Sequence, residues 1–246
     1  MHGGRQFQRW SELLGGERSR PATILFSSTL LMLVWKYFGS PAYYLEHLAP
    51  WADVYGDREA TAAAYHFVAL FVLMGVVPAL IVKFLFKQRL SEYGVQLGDR
   101  VRTVRTFLLL APVFVAIAYG SSRDPSIAAV YPINPHAGAS PTMFAWHVAS
   151  YALFYLGWEF HFRGFLQFGL AGRLGVVQAV LIQVMASSLL HIGKPAAETF
   201  GAIAGGILWG IVAYRTRSLL SGLLQHFLLG TALDWFLCYR GSFINW

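Results

Sequence analysis

The stretch YLGWEFHFRGFLQFGL, residues 155–170, sets Glu159, His161 and Arg163 inside a run of Phe, Leu, Trp and Gly. Even on the mildest scale, a charged side chain at the centre of a bilayer costs about 2.5–3.5 kcal/mol. Such residues mark function by default. His147, His191, His226 and Asp234 also fall in apolar stretches of the C-terminal half. Glu159 and Arg163 are four residues apart, so on a helix they share a face and can pair. His161 points roughly 200° away from Glu159. Imidazoles and carboxylates at one depth can bind a metal, relay protons or activate water. The zinc-protease pattern H-E-x-x-H is absent from the chain. A Glu with two His on separate helices suits water activation, in which a base removes a proton and a His or Arg donor steadies the oxyanion. No cofactor is demanded by this set. Zinc is the metal that two His and a Glu would hold, although the residues lack diagnostic ligand spacing.

The elements that carry these residues follow from composition. Of 246 residues, 56% are hydrophobic and 13% charged, where a soluble domain averages about 25% charged. Spanning helices need roughly 20 apolar residues each. Seven segments qualify, about 22–38, 61–86, 104–120, 142–170, 175–192, 199–214 and 218–238. The expectation is an all-α, polytopic transmembrane bundle of about seven spanning helices. Residues 1–21 form a cytoplasmic tail, and 22–246 a single transmembrane domain. Basic residues cluster in the tail (Arg5, Arg9, Arg18, Arg20), in 83–105, near Arg173, and at Arg215 and Arg217. The intervening loops are not basic; 39–60 carries Glu46, Asp53, Asp57 and Glu59 against Arg58. This alternation predicts a cytoplasmic N-terminus. The net charge of +7 is thereby assigned to inner loops and not to nucleic-acid binding. A single cysteine, Cys238, excludes an internal disulfide.

Helical rise of about 1.5 Å per residue sets depths. Counted from the cytoplasmic ends, Glu159 and His226 lie roughly 15 and 12 Å up, and His191 and Asp234 roughly 24 Å up. GAIAGGILWG, residues 201–210, pairs Gly201 with Gly205 and Gly206 with Gly210. Each pair shares a face and allows close helix approach, so a tight bundle around the sixth helix is expected.

WEFHFRGFL, SSLLHIGKPAAE and GLLQHFLLGTALDW, in this order, together with the connection LSEYGVQLGD (90–99), resemble the CPBP family. These are the CAAX-prenyl-protease and bacteriocin-processing intramembrane proteases, also called the Abi family. The resemblance covers about residues 90–235. The family motif Glu-Glu-x-x-x-Arg is matched by Glu159 and Arg163, with Trp158 at the first Glu position. Phe-x-x-x-His is matched by His191, with Ser187 at the Phe position, and His-x-x-x-Asn by His226, with Gly230 at the Asn position. The resemblance implies an intramembrane endopeptidase, a hydrolase of the metalloendopeptidase kind, in which Glu and His activate water and cleave a membrane-associated or prenylated peptide. Its site would comprise Glu159, Arg163, His191 and His226. Glu198, seven residues after His191, is a secondary candidate for the base. Asp234 is a secondary candidate for holding a His in place of the missing Asn. The implied partners are the lipid bilayer and a membrane-associated peptide or protein, with no nucleic acid, in a bacterial inner membrane. The alternative is a non-catalytic membrane protein that binds a lipid or partner helix in the same pocket.

Overall fold

The computed structural model describes residues 16–17, 19–49 and 56–239. Arg5, Arg9 and Arg18 of the basic tail, and Asp53, lie outside the described residues. Seven helical rods follow one another, with no β-strand among the described residues. The first, α1, is Arg20–Phe38. The second, α2, runs over Arg58–Leu85. The third, α3, is Arg100–Ser121. The fourth, α4, is continuous from Pro141–Glu159 through a π-helical stretch, Phe160–Phe168, into Gly169–Leu174. The last three are α5, Val176–Leu190, α6, Ala196–Thr216, and α7, Leu220–Tyr239. Four rods, α1, α2, α3 and α6, are long and apolar enough to cross a membrane. The chain is an integral membrane protein with an all-α bundle fold.

Side chains are distributed for an apolar surrounding. Phe26, Leu109 and Phe200 stand 73–74% exposed on the outer surface, while Glu159, Arg163 and Asp234 are 1–2% exposed. Where the solvent is lipid, polar groups must find partners inside the protein. Two buried glutamines do so across helices. Gln183 Nε2 of α5 donates to the Gly206 carbonyl and Gln167 Nε2 of α4 to the Gly210 carbonyl, both at 2.8 Å. A Cβ at Gly210 would stand 2.8 Å from the Gln167 side chain, so the glycine opens the α6 backbone to these donors. Gly201 and Gly205 contact no neighbouring helix and face a cavity instead. The glycine-rich stripe thus serves packing with one pair and open space with the other.

Two departures from α geometry matter for the site. Pro78 within α2 lacks the N–H that would bond the Met74 carbonyl. π-Helical turns, Phe71–Val76 and Ile81–Leu85, flank it. The nine-residue π stretch of α4 begins directly after Glu159 and contains His161 and Arg163. Such widened turns recur at functional sites, because they re-aim side chains. α5 is 15 residues, about 22 Å, short of a hydrocarbon core of about 30 Å. Its chain leaves helical register at His191, and irregular backbone at membrane depth is tolerated where it lines a cavity. His191 and Lys194 stand at this break and line one.

The connection 90–99 clamps the opposite end. Gly94 adopts φ +83°, a left-handed conformation suited to glycine, and a Cβ there would meet Phe168 at 2.7 Å. Its carbonyl accepts from Leu219 N at 3.0 Å, and Asp99 N donates to the Thr216 carbonyl at 2.9 Å. The loop thereby ties the π end of α4 to the α6–α7 link.

Candidate active site

α4 and α7 run antiparallel and meet through two acid–imidazole rungs. In the first, His226 Nδ1 lies 2.8 Å from Glu159 Oε1, and Arg163 Nη1 approaches the same oxygen at 3.2 Å. In the second, His147 Nε2 lies 2.7 Å from Asp234 Oδ2. Asp234, expected as a holder for a site histidine, holds His147 and not His191 or His226. His161 is fully buried among Phe162 and Phe165. It approaches the Met74 carbonyl without closing a hydrogen bond of normal geometry, and takes no part in the cluster.

Beside the first rung lies a cavity of about 460 Å³. His191, His226, Lys194, Glu198, Tyr131 and Trp158 line it, together with apolar residues from α3, α6 and α7. Glu159 and Arg163 stand behind His226 and do not reach the cavity wall. The remaining carboxylate oxygen of Glu159 has no hydrogen-bond partner, and a Cβ at Gly222 would come within 3.1 Å of it. Trp209 of α6 stacks on the His226 ring, with centroids 4.1 Å apart and planes 25° apart. The guanidinium of Arg163 faces the same indole at 5.5 Å. His226 is thus held on one nitrogen by a carboxylate and on one face by an aromatic ring.

His191 is fixed in a parallel way. Its Nδ1 lies 2.7 Å from the Ser187 carbonyl, which can only accept, so Nδ1 carries the hydrogen and Nε2 turns to the cavity. Nε2 lies 3.9 Å from Glu198 Oε1. Glu198 accepts from the Tyr131 hydroxyl at 2.6 Å, and Lys194 Nζ donates to that hydroxyl oxygen at 3.0 Å. Tyr131 therefore stands between Lys194 and Glu198. Burial, reinforced by the Glu198 carboxylate, pushes the Tyr131 hydroxyl well above its ordinary pKa, so it remains a donor.

Two of the three departures from the motifs of the resembled family, Trp158 and Gly230, have a structural counterpart. Trp158 meets His191 edge-on at 5.4 Å and stacks on Phe154 at 5.6 Å, filling space in the cavity wall. A Cβ at Gly230 would stand 1.8 Å from the Tyr155 hydroxyl. That hydroxyl occupies the room of a side chain at 230, and its ring meets His226 edge-on at 4.7 Å. Tyr131, Tyr155 and Trp209 were not singled out by the sequence. Only the i, i+4 repeat Tyr151/Tyr155 carries a signal, and it reads as packing. Among the described residues no three His, Cys, Asp or Glu come together as a metal site.

Residues 138–232, less than half of the chain, match the family model described as type II CAAX prenyl endopeptidase Rce1-like. The match agrees with the resemblance carried by the motifs and spans α4, α5, α6 and most of α7. It contains Glu159, Arg163, His191, Glu198 and His226, and stops short of Asp234. No curated protein and no solved structure matches the chain.

Proposed function

We propose that the protein is an intramembrane endopeptidase that cleaves a membrane-associated or prenylated peptide with a water activated by Glu and His. The observation that carries this reading is the pair His191 and His226, each held on Nδ1 and each lining one cavity with its other side. Peptide hydrolysis needs a water, a base in reach of it, and a donor for the oxyanion. Glu159, held by Arg163, orients His226, whose protonated form can donate from Nε2–H to an oxyanion. His191 presents the lone pair of Nε2, which can accept from water. The mostly apolar cavity walls suit a lipid-modified chain. The matched family supports the same class of reaction. We place the protein in the inner membrane of a bacterium with its N-terminus in the cytoplasm, on the alternation of basic and non-basic loops. No step is routed through a metal.

The test is cleavage of a fluorescence-quenched peptide ending in a farnesylated cysteine and three further residues. The full-length protein is reconstituted in phospholipid vesicles. His191→Ala and His226→Ala should each lower kcat by about 10²–10³-fold or more, with folding retained. Full cleavage by both variants, or none by the wild type, would leave the non-catalytic reading, a pocket that binds a lipid or a partner helix.

A further inference from the structure

Peptide hydrolysis in this cavity requires a base that reaches the water, and Glu159 does not offer one. Its Oε1 is shared by Arg163 and His226, its Oε2 rests against Gly222, and it lies outside the cavity wall. Trp158, its neighbour in the chain, presents an indole to the cavity where no proton can be accepted.

We propose that Glu198 is the base that takes the proton from the attacking water, with Tyr131 as its positioning residue. This rests on the peptidase reading above. Glu198 lines the cavity. Its Oε1 is turned toward Tyr131, and its Oε2 is buried without a hydrogen-bond partner. The Lys194 ammonium donates to the Tyr131 oxygen, so the phenolic hydrogen is directed at Glu198. A direct Lys194–Glu198 ion pair would consume the carboxylate; the interposed tyrosine takes one lone pair of Oε1 and leaves that oxygen a second on the His191 side. The 3.9 Å from Glu198 Oε1 to His191 Nε2 is too long for a hydrogen bond and is a separation that one water can bridge. Two acceptors then take the two hydrogens of that water and leave its lone pairs for a carbonyl carbon.

In the step itself the water oxygen bonds to the carbonyl carbon as its proton passes to Glu198 Oε1, the oxygen nearest His191 Nε2. The carbonyl π pair moves onto oxygen and is met by Nε2–H of the protonated His226. When that pair returns, the C–N bond breaks. The proton held by Glu198 passes to the leaving nitrogen, giving an acid and an amine with the base regenerated.

The experiment uses the same vesicles and farnesylated peptide, with kcat and KM read separately and folding followed by thermal unfolding. Glu198→Gln should lower kcat by about 10²–10⁴-fold, as expected for loss of a general base, with KM unchanged. Glu198→Asp, one methylene shorter, should lower kcat by about tenfold or more at constant KM. Tyr131→Phe should lower kcat, counted per folded molecule, by about tenfold at constant KM; loss of structure alone would lower the folded fraction and leave kcat per folded molecule unchanged. A folded Glu198→Gln variant with wild-type kcat, beside inactive His191→Ala and Glu159→Gln, overturns the assignment and returns the base to Glu159, leaving the peptidase reading intact. If Glu198→Gln does not fold, Glu198→Asp decides, and wild-type kcat in that variant overturns the proposal. No cleavage by the wild type overturns both readings.

Discussion

The two rungs between α4 and α7 have nearly the same chemistry and different surroundings. His226 and Glu159 meet at 2.8 Å, His147 and Asp234 at 2.7 Å. The His147 and Asp234 side chains are each 1% exposed, and His147 borders a void of about 10 Å³, room for a single water at most. The His226 side chain is 16% exposed and faces a cavity of about 460 Å³. An acid–imidazole pair inside a membrane therefore does not by itself make a site. Access does, and here it comes from the short α5 and the cavity-facing glycines of α6. The His147–Asp234 pair reads as a structural tie between α4 and α7 that leaves His147 Nδ1 and Asp234 Oδ1 buried without partners.

Replacing the two histidines separates the roles. His226→Ala should lower kcat by at least about 10²–10³-fold in the peptide assay. His147→Ala should instead destabilise the fold by about 3–5 kcal/mol, by leaving the Asp234 carboxylate buried and unpaired. The surviving folded protein should cleave within a few-fold of wild type. Thermal unfolding beside kcat per folded molecule checks both, and a stable but inactive His147→Ala would erase the distinction between the rungs.

A smaller effect is expected where the cavity meets Tyr155. Gly230→Asn should destabilise by about 1–3 kcal/mol through overpacking against the tyrosine hydroxyl, and Tyr155→Ala in the same chain should relieve part of that loss. Chemical denaturation of the single and double variants measures the coupling. Additive losses would show that the two positions do not compete for one space. Gly222→Ala presses on the inner rung alone. Its new methyl would sit 3.1 Å from Glu159 Oε2, so kcat should fall by up to about tenfold, equivalent to about 1.4 kcal/mol. Stability should change little, and an unchanged kcat would show that the carboxylate has room to shift.

The smallest effect lies outside both rungs, at the start of α2. Asp57 caps the helix by accepting from the backbone N–H groups of Glu59 and Ala60, at 3.1 and 3.0 Å. These bonds, led by the one to Ala60 and joined by His136, hold its carboxyl below the usual 3.8 against a smaller opposing cost of burial. A depressed folded-state pKa contributes stability that is present above the unfolded value and is lost as pH falls through the folded one. Asp57→Ala should cost about 1 kcal/mol near neutral pH. The difference from wild type should shrink as pH is lowered below about 3.8. Unfolding curves across that range decide it, and a difference that persists in acid would remove the carboxylate from the account.

Local chemistry made the rods legible. The expected 22–38 and 104–120 appear as Arg20–Phe38 and Arg100–Ser121, and 142–170 lies within the continuous α4. Long apolar runs bounded by basic and turn residues must be helical in lipid, because only internal hydrogen bonds can satisfy their backbone. The Glu159–Arg163 pair was equally legible, since four-residue spacing is a property of one helix. Other relations were not. Asp234 stands on about the same face as His226, and nothing in the spacing shows that the antiparallel α4 brings His147 to it instead. The loop residue Tyr131 carries no pattern that places it between Lys194 and Glu198. Nor does a glycine at 230 disclose that Tyr155 fills its space. Helix identity and the polarity of the interior are set by near neighbours in the chain and by the solvent, so the sequence alone determined them. Which imidazole meets which carboxylate, and which of those pairs reaches open space, depends on the register between helices and on the volumes left by their packing. Only the tertiary structure decided that.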